Sequence, residues 1–138
     1  MRKTRMSGRT GGFTLIEMVI VFALIGILVG LGLPQYKYSL VKARESVLRE
    51  NLFVLRKLID QYYLDKGKYP ASLQAIVQDG YLRSLPVDPV TKSATTWEEV
   101  RETLPPDEYV MPETLGIVDV KSGSEQKSPI DGTVYNTW

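Results

Sequence analysis

The chain of 138 residues contains no cysteine and no histidine. Without cysteine, no disulfide can hold the fold together and no thiolate chemistry is available. Without histidine, the commonest general base and the commonest metal ligand are missing as well. An enzyme built on this sequence would have to rely on carboxylates or lysines, so these absences lower the expectation of catalysis.

The chain also lacks a large net charge, because its 17 basic residues nearly balance its 16 acidic ones. The sum hides an asymmetry, since the first twelve residues contain four basic side chains and no acid, and the rest has 13 basic against 16 acidic residues. A basic segment before an apolar run keeps the N-terminus in the cytoplasm. The near-neutral total argues against nucleic acid as a partner.

A long apolar run begins soon after the basic segment, with 19 uncharged residues from Met18 to Tyr36. This length suits a helix that crosses a hydrocarbon core of about 30 Å. A cleaved secretory signal would be shorter and would end in a small-x-small site, which does not follow here. A plain membrane anchor fits the length but leaves Glu17 unexplained, because a carboxylate at the bilayer centre costs about 2.5–3.5 kcal/mol. Glu17 is therefore either a functional residue or lies at the level of the lipid headgroups.

The segment GGFTLIE at residues 11–17 resembles the prepilin peptidase signal of type IV pilins and type II secretion pseudopilins. The resemblance implies that residues 1–12 form a leader, which prepilin peptidase removes by cutting after Gly12. Phe13 then becomes the N-terminal residue and is N-methylated. The resemblance also implies an assembly role for Glu17, whose carboxylate would meet the new ammonium group of a neighbouring subunit. A buried ion pair of this kind is costly to break, so it can set the axial register between subunits.

The residues that follow the apolar run keep a helical spacing of apolar side chains. These recur between Val41 and Tyr62 at intervals that place them on one face, whereas charged side chains occupy much of the rest. The pattern predicts a single helix over residues 13–66. Its charged face is expected to be mainly solvated, with one favourable pair between Glu45 and Arg49.

Pro34 falls inside this predicted helix. Proline removes one helical hydrogen bond and kinks the chain, but the helical pattern resumes at once, so we expect the helix to continue past it. We assign Pro34, together with Glu17, to filament assembly. The helix then has a transmembrane half at residues 13–36 and an amphipathic periplasmic half at residues 37–66.

Residues 67–138 are predicted to form a small globular region. Its first part, DKGKYPASLQAIVQDGYLRSLPVDPVT at residues 65–91, resembles the major pseudopilins of type II secretion, the protein G family. The resemblance implies an α+β, pilin-like fold, in which the long N-terminal helix packs on a small antiparallel β-sheet. Major type IV pilins of Gram-negative bacteria usually close this region with a disulfide, so the absence of cysteine favours a pseudopilin.

Local patterns predict the remaining elements of the globular region. A short helix begins at Ser72, and a second short helix is expected at Thr96–Thr103, behind a threonine cap. Strands are expected at Leu115–Val120 and at Thr133–Tyr135, joined by a loop rich in glycine, serine and proline. Trp138 is expected to pack on the apolar stripe of the long helix.

That loop and the strand before it contain several oxygen ligands of the kind that Ca²⁺ prefers. Many major pseudopilins bind calcium in the corresponding loop, so the resemblance implies a possible calcium site. The residues that it points to are Asp119, Ser122, Glu125 and Asp131. Their spacing departs from the family's usual form and matches no EF-hand. A solvated polar loop without any cofactor is the alternative.

The function predicted from these features is structural. The chain is expected to be a single-pass protein of the bacterial inner membrane, with a periplasmic C-terminal domain, and to assemble into a periplasmic pseudopilus that promotes protein export across the outer membrane. The expected partners are other copies of the chain, prepilin peptidase, minor pseudopilins and the inner-membrane assembly platform.

Three other functions compete with this prediction. A type IV pilus or competence pilin carries the same cleavage signal. A membrane-anchored periplasmic enzyme would need a site, for which the available carboxylates are Asp88, Glu98, Glu99 and Asp107. A single-span binding module would need neither Phe13 nor Glu17.

Overall fold

A computed structural model describes residues 11–103 and 115–138. The elements, in chain order, are helix α1 (Leu15–Lys66), helix α2 (Leu73–Gln78), strand β1 (Glu98–Arg101), strand β2 (Ile117–Lys121) and a 3₁₀ turn (Tyr135–Thr137). This is the predicted α+β, pilin-like class. Most of the predicted leader, residues 1–10, and the candidate carboxylate Asp107 lie outside the described residues.

Helix α1 is 52 residues long and confirms the predicted single helix, apart from its first two residues. It starts where the Thr14 hydroxyl accepts a hydrogen bond from the Glu17 main-chain N–H at 3.2 Å, which satisfies one of the free donors of the first turn. It ends at Lys66, and the Gly67 that follows has a positive φ of 69°, which only glycine adopts readily. Pro34 lies inside the helix, so the prediction that the helix continues past it is confirmed.

The chain divides into two units, Met1–Lys37 and Tyr38–Trp138. In the first unit, every described side chain is exposed, including the apolar ones from Leu15 to Leu33. Among the described residues, α1 is the one helix long and apolar enough to cross a membrane. Apolar side chains on this scale need lipid or other protein around them, and the segment fits a single-pass membrane anchor.

The core of the second unit is built on one face of α1. The buried side chains of that face are spaced alternately by three and four residues: Leu48, Leu52, Leu55, Ile59 and Tyr62. They pack against α2, the sheet and the last residues of the chain, which contribute Leu73, Ile76, Trp97, Ile117, Val120 and Tyr135. The apolar stripe predicted from the sequence is therefore the helix's contribution to the core.

The predicted helix at Thr96–Thr103 is wrong, because residues 98–101 form strand β1. This strand pairs antiparallel with β2, with Val100 opposite Asp119, and the register shifts after Val100. Beside the strand, the buried Trp97 donates a hydrogen bond from its indole N–H to the Pro86 carbonyl at 2.9 Å. These tertiary contacts satisfy the backbone and bury the tryptophan, which outweighs the weak local preference for a helix.

The predicted strand near residues 115–120 is confirmed as β2, whereas the predicted strand at Thr133–Tyr135 is wrong. Only an isolated bridge joins Val134 to Lys127, and the chain then turns into the 3₁₀ turn, where the Thr137 N–H bonds to the Val134 carbonyl at 3.0 Å. The turn directs the Tyr135 side chain into the core against α1. The short helix predicted at Ser72 is confirmed, since the Ser72 hydroxyl caps α2 by accepting from the Ala75 N–H at 3.2 Å.

Candidate functional site

The predicted cleavage site lies directly in front of α1. Residues 11–14 are not helical, and the residues on both sides of the Gly12–Phe13 bond are exposed, with Phe13 76% accessible. A Cβ atom at position 12 would have no atom of the described residues within 4 Å, apart from its chain neighbours. A protease needs an accessible peptide that is free of helical hydrogen bonds, and the geometry offers one at this bond.

Glu17 lies in the first turn of α1, one helical turn after Phe13. A carboxylate there is favoured by the partial positive charge of the helix N-terminus. Within the described part of the chain, Glu17 takes part in none of the four ion pairs. Its carboxylate is exposed, so it is available to a cation from another molecule.

Two of the four candidate calcium ligands, Asp119 and Ser122, accept or donate hydrogen bonds away from the loop. One carboxylate oxygen of Asp119 accepts hydrogen bonds from the Arg56 Nε at 2.7 Å and from the Val120 N–H at 2.8 Å. Ser122 is fully buried and donates its hydroxyl proton to Asp88 at 2.5 Å. Each of the two side chains is therefore held by a different part of the protein.

The other two candidate ligands are exposed. Glu125 lies in the loop, and Asp131 accepts from the Thr133 hydroxyl at 2.6 Å and from the Thr133 N–H at 3.0 Å. The Thr133 hydroxyl is the main cause of a lowered pKa at Asp131. Across residues 11–103 and 115–138, no group of three or more acidic side chains could hold a metal ion. Calcium binding stays a prediction, and the arrangement of these side chains does not favour it.

Two of the carboxylates proposed for an enzyme, Asp88 and Glu99, accept hydrogen bonds in different parts of the globular region. Asp88 is fully buried and accepts hydrogen bonds from the main-chain N–H groups of Val90 and Thr91, at 2.8 and 3.3 Å. Glu99 accepts from the Leu73 N–H at 2.9 Å, which caps α2. These two carboxylates thus satisfy main-chain donors in a turn and at a helix end, which is a structural role.

A buried polar cluster that the sequence analysis missed joins α1 to the C-terminal residues. Glu45 is only 6% exposed, and one of its carboxylate oxygens accepts from the Ser128 hydroxyl at 2.6 Å and the Tyr135 hydroxyl at 2.9 Å. The predicted pair between Glu45 and Arg49 is wrong, since Arg49 instead faces Asp131 at 3.6 Å. The signal was present in the spacing, because position 45 continues the stripe of buried positions on α1.

The Glu45 cluster predicts a dependence of stability on high pH. Burial, and then the hydrogen bond to Glu45, raise the pKa of Tyr135 from 10.0 to about 12. Because the folded state favours the neutral phenol, its contribution to stability is complete below pH 10 and is lost as the pH rises to about 12. We expect a decrease of about 2–3 kcal/mol in the free energy of unfolding over this range.

The measurement is denaturant unfolding of the wild type and Tyr135→Phe at a series of pH values. The variant should lack this part of the decrease, whereas Tyr38→Phe, at an exposed tyrosine, should keep it. Equal slopes in the wild type and Tyr135→Phe would contradict the assignment.

Comparison with known proteins shows which family this chain resembles. Residues 8–33 match the family described as the prokaryotic N-terminal methylation motif. The chain is 32% identical to the type II secretion system core protein G of Pseudomonas aeruginosa, over 91% of the chain and 93% of that protein. The core protein G of Aeromonas hydrophila is 29% identical, over 99% of the chain and 95% of its own length.

A shorter similarity points to a pilus protein. The fimbrial protein EcpC of Eikenella corrodens is 36% identical, over 55% of the chain and 53% of that protein. No solved structure matches the fold of the chain.

Proposed function

Because the chain belongs to the type II secretion system core protein G family, the major pseudopilins, we propose that prepilin peptidase processes it and that copies of it then assemble into a periplasmic pseudopilus. The chain itself is a structural pseudopilin subunit of the secretion system. The observation that carries the proposal is the exposed, non-helical Gly12–Phe13 bond in front of a 52-residue helix with an exposed apolar first part. One peptide bond thus separates the basic leader from the segment that must be buried in lipid or in a filament.

Processing follows from the charge distribution. The basic leader stays on the cytoplasmic side of the inner membrane, where prepilin peptidase cuts after Gly12 and methylates Phe13. Removal of the leader takes away the charges that hold this end in place. The helix can then leave the bilayer for a filament, while residues 38–138 stay in the periplasm.

Assembly follows from the exposed surface of α1. Its apolar side chains exchange lipid contacts for contacts with the same segment of neighbouring copies, and Glu17 meets the new ammonium group of Phe13. Charges that are buried together are stable only as a pair, so this contact fixes where one subunit stops relative to the next. Minor pseudopilins and the inner-membrane assembly platform are the further partners, and the subunit itself catalyses no reaction.

A pilus subunit is the second candidate function, favoured by the similarity to the fimbrial protein EcpC. The similarity to core protein G extends over more than nine tenths of the chain, which supports secretion instead. Deleting the gene discriminates the two functions. Loss of exported proteins from the medium, with surface pili unchanged, supports the pseudopilus, and the reverse supports the pilus.

The N-terminus of the membrane-purified protein tests the proposed processing. Mass spectrometry should find a chain that begins with N-methylated Phe13, because the signal places the cut after Gly12. Cells without the peptidase serve as the control and should contain the intact precursor. An intact Met1 in cells that contain the peptidase would contradict the proposal.

A further inference from the structure

Arg56 on α1 lies at the centre of three oxygen atoms from the C-terminal segment, defined here as residues 119–138. Its Nε donates to the Asp119 carboxylate at 2.7 Å, and its Nη2 donates to the main-chain oxygens of Val120 and Trp138 at 3.0 and 2.9 Å. One side-chain carboxylate and two main-chain oxygens are oxygen ligands of the kind that a hard divalent cation selects. In this chain, these three oxygen atoms accept hydrogen bonds from the guanidinium group of Arg56 instead.

We propose that Arg56 replaces a bound metal ion and holds the C-terminal segment on α1, so that the fold of this chain does not depend on calcium. The guanidinium is always charged and offers several donors in a fixed planar arrangement, which suits a carboxylate and carbonyls together. A cation that belongs to the chain is present in every folded molecule. A metal ion that approached the Asp119 carboxylate would be repelled by the positive charge of Arg56, whose Nε lies 2.7 Å from that carboxylate.

A second arginine, Arg49, lies nearer the N-terminus of α1 and also contacts the C-terminal segment. Arg49 faces Asp131 at 3.6 Å, and its guanidinium lies 4.3 Å from the centre of the Trp138 ring. Two of the four candidate calcium ligands therefore have an arginine of α1 as their cation. Their positions seven residues apart, or about two helical turns, place both arginines on the same side of α1.

Arg56 can hold the C-terminal segment on α1 although its side chain is partly exposed. Its side chain is 40% exposed and that of Asp119 is 38% exposed, so the ion pair alone would contribute little. The two bonds to main-chain oxygens add to it, because they fix the end of β2 and the last residue of the chain to the same group. The contact is strong because several charge-assisted hydrogen bonds share one donor group.

Thermal unfolding of the full chain in detergent, followed by tryptophan fluorescence, tests the proposal. The wild type should unfold at the same midpoint in millimolar calcium as in EDTA. Arg56→Gln should lower the midpoint by about 5–10 °C, and trypsin should cut after Lys121 and Lys127 about tenfold faster, since cleavage follows the open population. Arg56→Lys keeps the charge without the planar donors and should fall between the two.

The matched control is Lys57→Gln, which removes one positive charge from the adjacent, exposed position of α1. It should leave both the midpoint and the cleavage rate unchanged. A lower wild-type midpoint in EDTA than in calcium would overturn the proposal, and this comparison requires no variant to fold. An Arg56→Gln protein that matches Lys57→Gln in both measurements would overturn it too. Neither readout involves filament assembly, so the result is separate from the proposed function.

Discussion

A Gly12→Leu variant is expected to accumulate as uncut precursor. Glycine at this position leaves the backbone free to enter the peptidase, whereas a leucine side chain next to the scissile bond displaces that bond from the catalytic groups. A misplacement of about 1 Å costs on the order of a hundredfold in rate. The substitution should leave the structure of the described residues unchanged, because Gly12 is exposed and a Cβ atom there has none of their atoms within 4 Å, chain neighbours aside.

Immunoblots of membrane fractions after a pulse of expression measure this result as the ratio of precursor to mature chain. Gly11→Leu is the matched control, since Gly11 is also exposed and a Cβ atom there has none of the described atoms within 4 Å, chain neighbours aside. Gly11 does not contribute to the scissile bond. The control should be processed normally. Normal processing of Gly12→Leu would mean that the cut lies elsewhere.

A Glu17→Ala variant is expected to be processed and inserted but not to form filaments. Removing a charge makes the apolar run more suitable for lipid, so membrane insertion and the fold of residues 38–138 should be unaffected. In the filament, however, the ammonium group of Phe13 would be buried without a partner. Breaking a buried pair in this way costs about 3–5 kcal/mol, which is a loss of more than a hundredfold in the association constant of each subunit.

The measurement is the yield of sheared filaments compared with membrane-bound subunit. Glu50→Ala is the control, because it removes an exposed acidic side chain from α1 outside the apolar run. The control should assemble at nearly the wild-type yield. A normal filament yield from Glu17→Ala would place Glu17 at the level of the lipid headgroups instead, without a role in register.

The sequence predicts α1 well because its signals are local and repeated many times. The apolar run, the three-and-four spacing from Leu48 to Tyr62 and the stop at Gly67 all agree, and the helix ends where they indicate. The processing signal is equally local, since a protease reads only a few consecutive residues, and the cut itself stays a prediction. Neither signal depends on residues that are distant in the sequence.

The missed features all depend on residues that are distant in the sequence. Arg56 belongs to the face that the sequence predicts to be mainly solvated, yet its partners lie 63 to 82 residues later in the chain. Strand β1 has only four residues, too few to show the alternation of apolar and polar side chains that identifies a strand. Its conformation is decided by its pairing with β2. A charge pattern on one helix cannot show which distant segment will cover it, so these contacts were beyond prediction from local spacing.

The contacts between α1 and the C-terminal segment also fix the order in which the molecule can fold. The bonds from Glu45 to Ser128 and Tyr135 close loops of 83 and 90 residues, and closing such loops carries an entropic cost before the contacts form. Until the last residues are available, the buried face of α1 lacks Tyr135 and stays partly open to water. In the proposed periplasmic location, the chain would therefore have to cross the membrane to its last residues before the globular region completes folding, and we expect a subunit truncated near Ser128 to be degraded instead of assembled.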